Sequence, residues 1–399
     1  MRSSLSQKKD FFSYLAQTSP APLSLEIKSA KGIWLTDITG RKYADLISGI
    51  AVSNLGHSHP AVVKAIKAQA DKHIHIMVYG EYIQSPQVSF AKKISEQLPK
   101  GLDSVYFVNS GSEAVEGALK LAKRFTGRTE IISFTKAYHG STHGALSIMG
   151  DEALKQPFRP LLPDVRILPF GDITALKSIS KRTACVIVEP IQGEAGIIVP
   201  NKEFLKALQK QCKAMGALLI LDEIQTGFGR TGKLFAFEHS GVMPDILTIG
   251  KAMGGGLPLG AFIANRKIMS SLSDNPALGH ITTFGGHPLS CASGLVALEV
   301  QLKTKLYSAA SKKEKLFRTL LKHKTIKEIR GKGLMLALQF DNEIFCKKVI
   351  ENCIKNGIIV DWFLFRPDAM RIAPPLIITE KEIRYACSAI LLSIKQSLS

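Results

Sequence analysis

DILTIGKAMGGGLPLGAF, residues 245–262, sets an apolar run, Ile246, Leu247, Thr248 and Ile249, against a break at Gly250, and Lys251 follows the break at once. The run has the length of a buried strand, so the pattern leaves a lysine just beyond a strand's carboxyl end. Gly254, Gly255, Gly256 and Pro258 then exclude regular helix, which implies that backbone and a ligand approach each other closely there. Taken alone, Lys251 reads first as a solvated side chain in a Gly-rich turn, since the chain holds many lysines. The surrounding chain has to choose between these readings.

Upstream of this stretch, apolar runs alternate with amphipathic segments. Strands are expected at Val105–Val108, Glu130–Phe134, Ala184–Val188, Ala217–Leu221, Ile246–Ile249 and Ala261–Ala264. Helices fit between them, among them Ala114–Phe125 closed by Gly127 and Lys202–Met215 closed by Gly216. This alternation signals an α/β domain with a mostly parallel sheet, where ligands sit outside the carboxyl ends of the strands. Residues 1–50 read as a short helix from Phe11 to Gln17, a Pro-broken arm and two strand-like pieces, GIWLTD and GRKYADL. Such an arm is expected to pack on the smaller domain. The large ligand-binding domain is assigned to 51–290 and an α+β C-terminal domain to 291–399. The latter holds a helix Ser293–Lys303, strands near Leu334–Gln339 and Ile358–Val360, and a last helix from Glu380.

Composition narrows the class. Of 399 residues, 45% are hydrophobic and 21% charged, the balance of an ordinary globular protein. The net charge of +19, from 52 basic and 33 acidic residues, is scattered over helical faces, which argues against nucleic acid and suits small anionic substrates. Six cysteines without a C-x-x-C pair suit buried thiols in a reducing compartment. The start, MRSSLSQKKDFFSYLAQ, has no continuous apolar core, and no run of about 18 apolar residues occurs, so a cytoplasmic protein with no membrane partner is expected. The pairs His57/His59 and His73/His75 lack a third ligand at recognisable spacing, so no metal is expected.

Two further stretches carry polar groups at strand ends. SVYFVNSGSEAVEGALKLAKR, residues 104–124, runs strand, tight turn, helix. Ser110 with Glu113 forms a capping box, and Ser110, Gly111 and Ser112 place free N–H groups and hydroxyls at a positive helix end, a cup for phosphate. A merely capped helix explains Ser110 and Glu113 as well. ALLILDEIQTGFGRTGK, residues 217–233, contains a G-x-G-x-x-G and nearly a P-loop, but both readings fail. Leu234 stands where a P-loop needs Ser or Thr, and Asp222 to Gln225 occupy the place of a dinucleotide-binding turn. Asp222 instead ends a fully apolar strand, where a carboxylate needs a cationic partner. A protonated pyridine nitrogen would serve. Pyridoxal phosphate needs a Schiff-base lysine, an acid for its ring nitrogen and an anion site, which Lys251, Asp222 and the cup would supply.

The ordered set VNSGSEA, AYHG, EPIQGEAG, LDEIQTGFGRTG, GKAMGGGLPLGA and TTFGGHPLSCA resembles the class III, or ornithine/acetylornithine type, pyridoxal-phosphate-dependent aminotransferases, over nearly the whole chain. The resemblance implies the fold type I architecture of such transferases. It also implies that Lys251 binds the cofactor and shuttles the proton, and that Asp222 keeps the ring nitrogen protonated. Gln225 would hold the ring hydroxyl, Tyr138 and Ile224 the two ring faces, and Ser110, Gly111 and Ser112 the phosphate. Thr283 would reach the phosphate of the neighbouring subunit, which implies a homodimer. Glu194 and Arg371 (of MRIAPPL) match the family's switch pair, the arginine clamping the carboxylate of a 2-oxo acid. The reaction implied moves the terminal amino group of ornithine or N-acetylornithine to 2-oxoglutarate. The sequence departs from these relatives at HGST, where Ser141 replaces an arginine, and at Ile50, where ornithine enzymes have tyrosine. The run QPFRPLLPDVRILPFGDI is similar to that of putrescine aminotransferases, so a diamine or another ω-amine is the alternative donor. Tyr79 and Tyr82 fit either a substrate mouth or packing.

Overall fold

A computed structural model describes residues 4–398. The first helix, Ser4–Tyr14, starts seven residues before the sequence expectation. Its opening SLSQKKD has no apolar spacing that would mark it. Three short antiparallel strands follow: β1 (Ile27–Lys31), β2 (Trp34–Asp37) and β3 (Lys42–Asp45).

The centre of the molecule is a seven-stranded sheet. Its strands are β4 (Ser104–Val108), β5 (Glu130–Phe134), β6 (Val165–Leu168), β7 (Thr183–Val188), β8 (Leu218–Asp222), β9 (Ile246–Ile249) and β10 (Gly260–Ala264). They lie in the order β4-β10-β9-β8-β7-β5-β6. The five from β9 to β6 are parallel, while β10 runs antiparallel to both neighbours, giving the mostly parallel α/β sheet expected. Edge strand β6 is the one the sequence reading left out: four residues between proline-rich flanks carry little signal. β7, β8, β9 and β10 are buried at every residue. Alternate side chains serve opposite faces. Val186, Leu219 and Leu247 join one apolar cluster, while Ile187, Ile220 and Ile246 join the other, the period of two that a strand imposes.

Helix Gly111–Thr126 covers one face, capped by Ser110 and closed by Gly127 at φ 67°. It sits so close that a Cβ on Gly117 would lie 2.2 Å from the Phe262 ring. Helix Lys202–Met215, on the other face, is capped by Asn201 and ends at Gly216, φ 66°. Helix Pro288–Thr304 begins five residues earlier than its apolar pattern suggested, with His287 as cap and Pro288 in the first turn, where its missing N–H costs nothing.

The C-terminal part adds β11 (Glu328–Lys332), β12 (Met335–Gln339), β13 (Ile358–Ile359), β14 (Asp361–Phe363) and β15 (Arg366–Ile372), then helix Glu380–Leu398. β11-β12-β15-β14 form an antiparallel sheet, while β13 pairs parallel with β3. Ile33, Ala44 and Leu46 accordingly share one apolar cluster with Leu336, Val349 and Ile390. Arg230, with no exposed surface, ties the parts together: it donates to the carbonyls of Leu334 and Pro374 and to the side chains of Ser48 and Asn54.

Candidate active site

β8 and β9 are neighbours in mid-sheet, so Asp222 and Lys251 emerge side by side at their carboxyl ends. Gly250 is extended, and Lys251 adopts φ 49°, a left-handed conformation that side chains rarely take. Burial pushes its amine down to about 8, against the opposing pull of Glu194. A lysine so placed is nucleophilic near neutrality.

Asp222 is 4% exposed, and the first partner of its buried carboxylate comes from the protein itself. His139 Nδ1 lies 2.7 Å from Asp222 Oδ2, and Oδ1 accepts the Ile224 N–H at 3.0 Å. His139 is buried, and its Nε2 has no partner. The sequence reading quoted AYHG for its tyrosine and passed over this histidine. Only the fold shows that AYHG ends against β8. Behind it, burial pushes Glu189 up to about 7, although the Gly193 and Tyr138 N–H groups donate to it.

At the end of β4, Ser110 Oγ accepts the Glu113 N–H at 3.2 Å. Glu113, however, turns to the N–H and side-chain amide of Asn109, so the expected capping box returns one residue early. Ser141 N–H donates to Ser112 Oγ at 3.2 Å, bringing the HGST turn beside the helix end. Ser110, Gly111, Ser112, Tyr138, Asp222, Ile224, Gln225 and Lys251 all line one cleft of about 190 Å³, with His139 and Glu194. Glycines let its walls close in. A Cβ on Gly111 would come within 2.9 Å of Ile224, and one on Gly193 within 2.3 Å of Gln225 Oε1.

A second hollow of about 380 Å³ shares Tyr138, Glu194 and Lys251 with the first and adds Ile50, Asp361 and Arg371. Arg371 is 2% exposed. Its Nη2 donates to both oxygens of Glu194, at 2.9 and 2.8 Å, and its Nε to Asp361 Oδ1 at 3.0 Å. Burial would raise the Glu194 carboxyl, but Arg371 and Lys251 outweigh it and hold it below the usual range. Asp361 was not anticipated from the sequence. Its register opposite Arg371 comes from the pairing of β14 with β15.

Three candidates lie elsewhere. Thr283 is exposed and outside the cleft, its carbonyl 3.0 Å from His75 Nε2. Tyr79 lies in a surface hollow with Tyr106 and Ile281, and Tyr82 is exposed. His57 pairs with Asp45 at 2.8 Å and His73 meets Gln69. Among the described residues no group of three or more His, Cys, Asp or Glu could hold a metal.

The family model for class-III aminotransferases matches residues 14–394. The chain belongs to the class-III aminotransferases. This aminotransferase is 41% identical to an acetylornithine aminotransferase of Methanopyrus kandleri, over 94% of its own length and 95% of the relative's. It is 38% identical to a LysW-aminoadipate semialdehyde/glutamate semialdehyde transaminase of Sulfurisphaera tokodaii, over 92% and 93%. Among solved structures it superimposes on the ornithine aminotransferase of Toxoplasma gondii with a TM-score of 0.90 and 32% identity, covering all of this chain and 97% of that one. As a class-III aminotransferase it is a pyridoxal-phosphate-dependent enzyme. The residues of the cleft fit that cofactor. A lysine whose amine is lowered by desolvation, a histidine-backed carboxylate, Tyr138 and Ile224 on the lining of one cleft, and the N–H groups of a long helix match an aldehyde, a ring nitrogen, a ring and a phosphate.

Proposed function

We propose that this enzyme transfers the terminal amino group of N-acetylornithine or ornithine to 2-oxoglutarate, giving a semialdehyde and glutamate. The observation that carries the reading is the Glu194–Arg371 pair facing Lys251 across one cleft. When bound, pyridoxal phosphate supplies the aldehyde that takes the amino group and a ring that withdraws electrons. Lys251 would hold the cofactor through its amine and would move the proton at the substrate carbon. Asp222, backed by His139, keeps the ring nitrogen protonated. Gln225 meets the ring hydroxyl, Tyr138 and Ile224 hold the ring faces, and Ser110, Gly111 and Ser112 hold the phosphate. With the donor bound, Glu194 masks Arg371. With the acceptor, the guanidinium takes the oxo-acid carboxylate through Nη2, the nitrogen that Glu194 vacates.

The enzyme works as a homodimer in this reading. Exposed Ile74, Ile76, Ile281 and Phe284 lie along the segments joined by the contact of His75 with Thr283 and Phe284, an apolar surface suited to a second copy. Thr283 on that surface would complete the neighbour's phosphate site. A cytoplasmic location accords with this chemistry.

A diamine donor is the second reading. Ser141, exposed and 3.2 Å from the Tyr138 hydroxyl, offers no cation for a donor carboxylate, and Arg371 already holds two acids. The experiment that separates the readings is a single-turnover absorbance titration with N-acetylornithine, ornithine and putrescine, without oxo acid. Bleaching by either ornithine compound supports the first reading. Bleaching by putrescine alone replaces it with the second.

A further inference from the structure

Arg371 carries two acids, and the role just given uses one of them. One carboxylate suffices to neutralise a guanidinium. The second brings another negative charge to the wall of the hollow, where desolvation pushes Asp361 up to about 6 even with Arg371 beside it. Partly buried ion pairs of this kind add little net stability, because desolvation consumes most of the attraction. Some other advantage has to account for Asp361.

The two acids are held differently. Asp361 is the cross-strand partner of Arg371 in the register of β14 and β15, so the backbone fixes its distance from the arginine. Glu194 lies in a turn outside any strand. Its backbone carbonyl accepts the Phe365 N–H at 3.1 Å, but the other contacts of its carboxylate are long: the Leu364 N–H at 3.3 Å and Gln225 Nε2 at 3.4 Å. The acids also take different nitrogens, Asp361 the Nε and Glu194 the Nη2. Departure of Glu194 therefore opens Nη2 and leaves Nε engaged. The Phe363 ring, 4.5 Å from the guanidinium carbon, stays as a floor.

We propose that Asp361 is a positioning residue that pins the Nε of Arg371, so that Nη2 faces the hollow as a preset receptor for the carboxylate of the 2-oxo acid whenever Glu194 turns away. This rests on the reading of Arg371 as the acceptor's clamp. Without Asp361, a guanidinium released by Glu194 could rotate about its long side chain, and the carboxylate would have to order it again on binding.

The test uses the cofactor-loaded full chain and the variants Asp361→Ala, Asp361→Asn and Arg371→Lys. Binding of glutarate, a dicarboxylate with no carbonyl to react, is measured by calorimetry, and KM and kcat are measured with 2-oxoglutarate. Asp361→Ala is expected to weaken glutarate and raise the 2-oxoglutarate KM about tenfold or more, with kcat and the rate of donor-driven bleaching within about threefold of the parent. Asp361→Asn keeps an oxygen for Nε and is expected to recover most of that loss. If the alanine variant does not fold, Asp361→Ser carries the same expectation. Unchanged glutarate binding in the truncated variant would reduce Asp361 to packing, and tighter binding would make it a competing counter-charge; either overturns the proposal. If Arg371→Lys also binds glutarate unchanged, the acceptor site itself is misassigned, and the proposal falls with it.

Discussion

At the scale of single residues, chemistry concentrates on Lys251 and Ser141. Lys251→Ala is expected to abolish turnover while the cofactor still binds noncovalently, visible as a shift in the bound absorbance band. Wild-type turnover in that variant would remove the lysine from its role. The lowered amine has a pH consequence. Its value falls from the usual 10.5 to about 8, so the neutral, attacking form accumulates at lower pH than in a free lysine. The rate at which cofactor-free protein takes up pyridoxal phosphate should rise with pH and level off above about 8, followed by stopped-flow absorbance. A rate still climbing toward pH 10 would mean that the amine is not desolvated. Ser141→Arg should raise kcat/KM for N-acetylornithine about tenfold, the scale of one charge-assisted hydrogen bond to a carboxylate. Unchanged kinetics would show that this rim does not meet the donor's carboxylate.

At the scale of elements, the site depends on how closely the helix Gly111–Thr126 can sit on the sheet. Its N-terminus forms the anion cup, and Gly117 is the point of closest approach, against Phe262 of β10. Gly117→Ala improves helix propensity by about 1 kcal/mol, but a methyl 2.2 Å from an aromatic ring forces the helix or the ring to move. Overpacking of this kind costs about 1–3 kcal/mol, so the net effect is expected to be destabilising. The check is a lower Tm together with weaker cofactor retention, since the cup moves with the helix. A higher Tm would mean that the ring has room to turn aside.

At the scale of the whole molecule, Arg230 joins three parts of the chain. It lies in the loop after β8 and binds Leu334 and Pro374 on one side and Ser48 and Asn54 on the other. The segment it anchors, Ser48 to Ala51, has four consecutive positive φ values and carries Gly49 and Ile50 into the Arg371 hollow. Arg230→Met leaves several buried acceptors unsatisfied, each worth about 1–3 kcal/mol. Thermal unfolding should drop by several degrees, with a raised substrate KM as the Ile50 segment loosens. A Tm equal to the parent's would show that water replaces the guanidinium.

The same hierarchy separates what was legible in the chain from what was not. Local periodicity determined the α/β alternation, and the step from an apolar run to a break put Asp222, Lys251 and the Ser110–Ser112 turn at strand ends. Those signals are short-range, so one sequence carries them. Periodicity said nothing for the polar first helix or for the four-residue β6. Periodicity carries none of the pairings that tune the site: Glu194 with Arg371 was implied by the family resemblance, and the others were decided by tertiary structure. His139 and Asp222 are 83 positions apart, Glu194 and Arg371 177, and Arg230 and Asn54 176. Asp361 lies only ten residues from Arg371, yet their contact follows from the register of an antiparallel pair, and the residues themselves do not encode it locally. A buried charge announces in the sequence that it needs a partner. Which partner it receives is settled by the sheet order and the crossing chain segments that bring distant residues to one rim.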